Sequence, residues 1–183
     1  MKYLLTALLT GITALGFAQS KFFTRNGTVT FFSSAPLEDI TAKNYSTIAV
    51  LDTETGNIEF SALMKSFEFK KALMQEHFNE NYVESDKFPK AVFVGSVRNL
   101  SNVDFNKDGE YDTEVSGEMT IHGISQRLTA AGQIIKRGER ISLQSKFILK
   151  PEDYEIKIPD LVRDKIAQEI EVTVKAELEE LKR

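Results

Sequence analysis

The sequence has no cysteine and only two histidines, and both shortages exclude classes of function. Without cysteine the chain has neither a disulfide framework nor a site for lipid acylation, so its stability must come from a hydrophobic core. His77 and His122 alone cannot form a His/Cys metal site. No nucleophile-elbow motif accompanies them. The sequence therefore predicts no catalytic residue, no metal and no cofactor.

A cluster of basic residues is also missing. The formal net charge is −4, and the Lys and Arg residues are scattered along the chain rather than grouped. Nucleic-acid binding depends on grouped positive charge that neutralises phosphates. We therefore expect no nucleic-acid partner.

No apolar run is long enough to span a bilayer, but one short run lies near the N-terminus. Tyr3–Leu15 follows a lysine and precedes Gly16 and Ala18, which supply the small residues of a cleavage site. This pattern predicts a signal peptide over residues 1–18 and a periplasmic or secreted mature chain. The remaining residues, 19–183, are enough for one domain with its own core.

Regular alternation of apolar and polar side chains dominates the rest of the chain. It is clearest at Tyr111–Ile121 and Ile170–Leu178, where one face is apolar and the other is polar. Further strand-like segments are residues 28–33, 45–51, 58–64, 91–97, 128–134 and 141–149. The turn signals between strands are Asn26-Gly27, Thr55-Gly56-Asn57, Asp108-Gly109, His122-Gly123 and Arg137-Gly138-Glu139. Together these patterns predict about eight strands.

Eight antiparallel strands joined by short turns close most easily as an up-and-down barrel. The predicted fold class is therefore all-β, with a two-sheet sandwich as the alternative. A membrane-spanning barrel is excluded because its outer face must be apolar, whereas the outward face here is polar. Ala91–Val97 is apolar on both faces, which indicates that the helix described next, or a second subunit in a homodimer, covers the wall there.

The period of the apolar residues changes between Phe67 and Phe93. Phe67, Met74 and Phe78 recur near the helical period, and polar residues fill the opposite side. We expect one amphipathic helix of about three turns that ends well before Pro89. Its apolar stripe should pack against the side of the barrel or over one open end.

Small residues recur on the predicted inward face of several strands. They are Ala62, Gly95, Gly117, Ala130, Gly132, Ser145 and Ala176. Small side chains leave room for an apolar ligand cavity. The alternative is that phenylalanine side chains cross the lumen and fill it, as in small barrels with packed cores. Because the outcome depends on geometry, both alternatives stay open at this point.

Several segments resemble the YceI-like family of bacterial proteins. They are the stretch LMQEHFNENYVESDKFPKAVF that ends at Phe93, the strand and turn GEMTIHGISQ at Gly117–Gln126, the N-terminal APLEDITAKN, and the C-terminal DYEIKIP and IAQEIEVTV. The resemblance implies a lipocalin-like, eight-stranded barrel in the periplasm that binds a long isoprenoid chain in its lumen. Where the family more often has a Phe-Phe-Asp run, this chain has Asn81–Ser85.

We therefore expect a binding protein that shields an isoprenoid lipid or a quinone-like small molecule from water. The barrel residues expected to line the ligand site are Phe60, Phe93, Val97, Val115, Gly117, Met119, Leu128, Ala130, Ile134, Leu143, Phe147, Val172 and Val174. The helix residues expected to cover one end are Leu73, Met74 and Phe78. The alternative is a packed-core barrel that acts through its surface as a stress or protein-interaction module. An enzyme acting on a lipid is a third hypothesis, for which the sequence offers no catalytic constellation.

Three polar features of the sequence are interpreted as structural rather than functional. Asp104–Asp112 matches the first half of a calcium loop, but Val115 stands where a bidentate Glu is needed. We interpret this segment as a hairpin turn, with weak adventitious calcium binding as the alternative. His77 is interpreted as a hydrogen-bonding residue between helix and barrel, and His122 as a turn residue.

Overall fold

The structure is a computed structural model that describes residues 21–181. The predicted signal peptide lies outside these residues. Within them, no helix has both the length and the apolar character needed to cross a membrane.

The described chain consists mainly of nine strands. They are β1 (Lys21–Ser34), β2 (Asp39–Asp52), β3 (Asn57–Leu63), β4 (Glu68–Phe69), β5 (Lys90–Val97), β6 (Gly109–Ile121), β7 (Ile124–Arg137), β8 (Arg140–Leu149) and β9 (Ile170–Glu180). Their pairings are antiparallel, in the order β1-β9-β8-β7-β6-β5-β3-β2, and β2 pairs again with β1. These eight strands form a closed barrel, and the two-residue β4 pairs with β2 at Ala42 and Lys43.

The predicted up-and-down barrel is confirmed. The two-sheet sandwich is wrong, because β1 is paired along both edges and no sheet edge separates two layers. As predicted, successive side chains along a strand alternate between the barrel interior and the solvent. On β9, Val172, Ala176 and Leu178 are buried, whereas Lys175 and Glu177 between them are exposed.

Two of the predicted turns are hairpins with the expected chemistry. His122 and Gly123 join β6 to β7 with φ values of 52° and 76°, and Gly138 joins β7 to β8 with φ 56°. His122-Gly123 thereby meets the requirement of a type I′ turn, which is positive φ at both central residues, whereas in Gly138-Glu139 only the first central residue has positive φ, as in a type II′ turn.

Two other segments with turn signals do not form hairpin turns. Asn26-Gly27 is not a turn but part of a bulge within β1, where the register with β2 shifts on both sides of Gly27. A Cβ atom at Gly27 would lie 2.8 Å from the carbonyl oxygen of Thr47, so the close approach of β2 requires glycine. Asp108-Gly109 ends a longer connection that begins after Val97, so it is not a tight hairpin.

The predicted helix is present but starts later than expected. Helix α1 spans Ala72–His77 and continues as a π-helical turn over Phe78–Tyr82. In that turn the backbone N–H of Val83 donates to the carbonyl of Phe78, five residues back, at 3.0 Å. Phe67 precedes the helix in extended backbone, so its inclusion in the helix was wrong.

The helix does not cover the outer wall of β5. Val94, which points outward from that strand, is 56% exposed. The helix instead lies at one end of the barrel. Coverage of this wall by the helix is therefore wrong, and coverage by a second subunit stays a prediction.

The two ends of the barrel differ. At one end, which we call the closed end, the β5–β6 connection folds back and packs Leu100, Val103 and Phe105 against the core. At the other end, which we call the mouth, helix α1 and the long β8–β9 connection (residues 150–169) surround the lumen.

The barrel wall has a seam between β7 and β8. The ladder between β7 and β8 runs from Arg137–Arg140 to Gly132–Ser145 and stops there. Beyond it, residues 146–149 pair with β9 but not with β7. The Ser145 hydroxyl donates to the carbonyl of Ala131 at 2.7 Å and so closes the last rung through a side chain.

Candidate functional site

A cavity of about 510 Å³ lies inside the barrel, between the closed end and the mouth. All eight barrel strands, helix α1 and the β8–β9 connection contribute to its walls. The volume falls within the range of about 300–1,000 Å³ that is usual for small-molecule sites. The phenylalanine side chains therefore do not fill the lumen.

The depth of the cavity is apolar. The serine and threonine side chains that line the cavity are Ser33, Thr47 and Ser145, and each already has a partner within the protein. Ser33 Oγ accepts a hydrogen bond from the backbone N–H of Ala167 at 2.9 Å. Thr47 donates to the side chain of Asn44 at 3.3 Å, and Ser145 makes the bond described above. The site is therefore suited to a hydrocarbon rather than to a polar molecule.

A cluster of four phenylalanines forms the wall where the helix meets the barrel. Phe31 of β1 lies 5.5 Å from Phe67 and 5.5 Å from Phe78, measured between ring centroids. Phe69 lies 5.0 Å from Phe78. Tilted and edge-on packing at these distances stabilises aromatic pairs beyond their burial. The cluster fixes the helix over the lumen without filling it.

Charged side chains reach the cavity only at the mouth among the lining residues of the described chain. They are Glu38, Lys71, Lys150 and Lys165. Lys71 forms an ion pair with Glu38, and Lys150 lies 3.6 Å from Glu169. A ligand with an apolar chain and a polar head group matches this division between depth and mouth.

Two tyrosine hydroxyls add neutral polar groups to the cavity wall. Burial raises the pKa of Tyr82 above its usual value. Burial, and then the nearby negative charge of Asp153, raise the pKa of Tyr154 in the same direction. Both hydroxyls therefore stay protonated at neutral pH, as hydrogen-bond donors without charge.

Twelve of the sixteen predicted ligand-site residues line the cavity. They are Phe60, Leu73, Met74, Phe78, Phe93, Val115, Met119, Leu128, Ala130, Phe147, Val172 and Val174. Their contact with a ligand stays a prediction.

Three predicted residues lie below the cavity rather than around it. Val97, Ile134 and Leu143 are buried in the hydrophobic core that fills the closed end. Their inward orientation was predicted correctly. The depth at which the lumen closes was predicted wrongly, because it depends on how the β5–β6 connection folds.

Gly117 does not open space in the lumen. It pairs with Gly95 across β6 and β5. A Cβ atom at Gly117 would lie 2.2 Å from the carbonyl oxygen of Val94 and 2.5 Å from the Cα atom of Gly95. Glycine is therefore present because the two backbones approach each other, not because a ligand needs room.

Part of the mouth wall consists of residues that the sequence patterns did not predict. The missed residues include Val29 and Phe31 of β1 and Ile156, Ile158, Val162 and Ile166 of the β8–β9 connection. β1 is apolar on both faces, so its inward phase could not be assigned. Ile156 and Ile158 alternate with polar residues in an extended segment, and that alternation was the available signal.

His122 links three segments around the mouth. Its Nε2 lies 2.7 Å from Glu84 Oε2, and its Nδ1 lies 3.1 Å from the carbonyl oxygen of Tyr154. A carboxylate and a carbonyl both accept hydrogen bonds, so each ring nitrogen of His122 faces an acceptor. The His122 hydrogen bond, and then the positive charge of Lys87, lower the pKa of Glu84. We call this arrangement the histidine latch.

The side chain of His77 does not form the predicted hydrogen bond between helix and barrel. Its side chain is exposed at the mouth and makes no hydrogen bond to another described residue. The interpretation of His77 as a structural hydrogen-bonding residue was therefore wrong. The sequence period placed it on the helix but could not show which side faced the barrel.

The carboxylates of the Asp104–Asp112 segment hold turns together. Asp104 Oδ1 accepts from the backbone N–H of Asn106 at 2.9 Å, and Asp108 Oδ1 accepts from that of Gly138 at 2.8 Å. Asp108 thereby ties the β5–β6 connection to the β7–β8 turn. Within residues 21–181, no group of three or more His, Cys, Asp or Glu side chains is arranged to hold a metal ion.

Comparisons with known proteins agree with this architecture. The sequence matches the YceI-like domain family over residues 13–178. The fold is similar to a polyisoprenoid binding domain from Saccharophagus degradans implicated in plant cell wall breakdown, with a TM-score of 0.78 and 14% identity over 90% of this chain and 100% of that one. No curated protein matches the chain in a sequence comparison.

Two further solved structures share the fold. BcnA from Burkholderia cenocepacia has a TM-score of 0.65 and 14% identity over 83% of this chain and 95% of its own. The YCEI protein of Campylobacter jejuni has a TM-score of 0.59 and 14% identity over 100% of this chain and 99% of its own. At this identity the likeness concerns the fold and not the ligand.

Proposed function

The chain belongs to the YceI-like family, and from that premise we propose that it binds an isoprenoid-type lipid or a quinone in the barrel lumen. The observation that carries this proposal is the cavity of about 510 Å³, whose depth is apolar and whose charged groups are confined to the mouth. A structural neighbour is described as a polyisoprenoid binding domain, which supports the same class of ligand.

The proposed activity is binding and shielding rather than catalysis. An apolar chain in the cavity is removed from water, which stabilises the complex by about 0.8 kcal/mol for each CH₂ group buried. The head group would lie at the mouth, where Lys165 and the hydroxyls of Tyr82 and Tyr154 offer hydrogen-bond donors. In this proposal the protein keeps the chain apart from water and from other apolar surfaces.

The cavity is also relevant to the alternative function, in which a packed-core barrel acts through its surface. A packed-core barrel acting through its surface would need no apolar space of this size, since protein interiors are close-packed. The surface-module hypothesis therefore lacks an observation that favours it over lipid binding.

Lipid binding is tested by extracting the purified protein with organic solvent and identifying the extract by mass spectrometry. We expect close to one isoprenoid lipid or quinone per chain. A delipidated sample should take up an added isoprenoid alcohol and gain thermal stability, because a ligand that binds the folded state stabilises it. A protein that carries no lipid and gains no stability would contradict the proposal.

We propose further that the protein acts in the periplasm after removal of the signal peptide. The small residues Gly16 and Ala18 after the apolar run support cleavage at this point. Intact-mass measurement on protein from the native cell envelope should give a chain that begins at Gln19. Full-length chain recovered from cytoplasm would contradict this location.

A further inference from the structure

Three exposed leucines surround the mouth of the cavity, and we call them the leucine rim. Leu37 is 69% exposed, Leu73 is 59% exposed and Leu161 is 93% exposed. They come from the β1–β2 loop, helix α1 and a turn in the β8–β9 connection. Single exposed leucines are common, but three at one opening form a patch that indicates an interaction site.

Direct contacts hold these segments beside one another. The backbone N–H of Leu37 donates to the carbonyl of Asp164 at 3.0 Å, which joins the β1–β2 loop to the β8–β9 connection. The ion pair of Glu38 with Lys71 joins the same loop to the start of the helix. Leu73 also lines the cavity, so the rim is continuous with the proposed ligand site.

The charge around the rim differs from that of the whole molecule. The three segments, residues 35–38, 70–74 and 160–166, carry four basic and three acidic side chains, whereas the chain as a whole has a net charge of −4. Lys70 and Lys165 have no ion-pair partner among the described residues. These three segments therefore carry a net charge of +1, and an anionic surface does not repel them.

We propose that the leucine rim docks the barrel on the surface of a lipid bilayer, with the mouth facing the membrane. The leucines enter the boundary between head groups and acyl chains, while the Lys70 and Lys165 stems keep their charges at phosphate level. The inference rests on the proposed lipid binding, since it gives the ligand a path between membrane and cavity that does not cross water. The leucines project from three separate segments, which suits insertion between lipids better than a flat contact of about 800 Å² with a second subunit.

The test is flotation of the purified protein with vesicles of phosphatidylcholine containing about one fifth phosphatidylglycerol. Wild-type protein should float with the vesicles. The double variant Leu37→Ser/Leu161→Ser should partition about a hundredfold more weakly, at roughly tenfold for each leucine that no longer inserts. Ile48→Ser is the matched control, because Ile48 is 44% exposed on the outer wall of β2, next to Ala49 of the core at the closed end. It should float like wild type.

Three results overturn the docking proposal. The first is wild-type protein that stays with the soluble fraction, and the second is a double variant that floats as well as wild type. The third is a wild-type dimer in sedimentation that dissociates in the double variant without vesicle binding, which would make the rim a subunit interface.

Lipid extraction from the same preparations separates this inference from the proposed function. Lipid-loaded protein that fails to float overturns docking alone. Lipid-free protein that floats through its leucines overturns lipid binding and leaves docking in place.

Discussion

Gly117 and Gly95 face each other across β6 and β5, and neither position has room for a methyl group. A Cβ atom at Gly95 would lie 2.6 Å from the carbonyl oxygen of Ser116, and the Gly117 contact is shorter still. Both distances involve backbone atoms, which cannot move aside as a flexible side chain does. The glycine pair therefore sets how closely the two strands approach.

Gly117→Ala should destabilise the protein by about 1–3 kcal/mol, because the strands must separate to admit the methyl group. Gly132→Ala is the control, since its Cβ atom would meet the nearest backbone oxygen, that of Gln144, at 3.2 Å. It should change stability by less than about 1 kcal/mol. Denaturant unfolding of both variants measures the difference. Equal effects would show that the close approach at Gly117 relaxes without cost.

Two inward alanines distinguish the cavity from the packed core. Ala130 lines the cavity, whereas Ala176 is buried in the core at the closed end. Ala130→Leu should reduce the lipid recovered per chain while the melting temperature holds or rises, because the added atoms fill empty apolar space. Ala176→Leu should cost about 1–3 kcal/mol through overpacking. Melting curves and lipid extraction on both variants check this, and a destabilised Ala130→Leu protein with full lipid content would contradict it.

At the scale of elements, the sequence predicted strands better than the boundaries of the helix. Phe67 stands eleven residues before Phe78, close to three helical turns, so in a helix the two side chains would share one face. Phe69 was grouped with them. In the structure both precede α1, and both rings pack against Phe78. Burial on a shared face therefore does not reveal which backbone conformation produced it.

The bulge in β1 shows a similar limit. Asn-Gly is the strongest local signal for a hairpin, yet here the strand continues through it. The pairing of β1 with both β2 and β9 outweighs the local preference, and only the long-range register reveals this.

The histidine latch should make stability depend on pH on the acid side. The hydrogen bond from His122, and then the charge of Lys87, lower the pKa of Glu84 in the folded protein. A lowered carboxyl pKa contributes stability above the ordinary value, near 4.5, and that contribution is lost as pH falls through the lowered value. The melting temperatures of wild type and Glu84→Gln should therefore converge as pH falls from about 5.5 to about 3.

The control for this prediction removes the partner of Glu84. In a His122→Asn background, where Asn tolerates the positive φ of the turn, the Glu84→Gln change should lose most of its effect. A difference of the same size in both backgrounds would show that His122 is not the group that holds Glu84.

For the whole molecule, alternation was enough to predict the barrel and its strand order. Alternation within a strand identifies the side chains that face inward, and short turns place consecutive strands next to each other. The volume of the lumen was beyond prediction, because it depends on where Leu100 and Phe105 come to rest at the closed end. Twelve inward residues were identified as a result, while the floor of the cavity was placed too deep.

The cavity volume predicts the length of chain that it encloses. At roughly 30 Å³ for each heavy atom, as in liquid water, it holds about 17 atoms, or three to four isoprenoid units of five carbons. Affinity for isoprenoid alcohols should therefore rise up to about 20 carbons and then level off, because further units remain outside. Displacement of a fluorescent probe measures the series. A steady gain up to about 40 carbons would mean that the closed end opens.

The seam between β7 and β8 is where we expect the barrel wall to open most easily. Amides protected by a complete ladder exchange with deuterium only when several strands part together, whereas those beside an unfinished ladder need a smaller opening. Residues 124–131 and 146–149 border the seam, so those of their amides that point into it should gain deuterium before the amides of β6. Leu128 and Phe147 also line the lumen there. An opening along this one line would therefore reach the lumen while the other seven strand junctions stay paired.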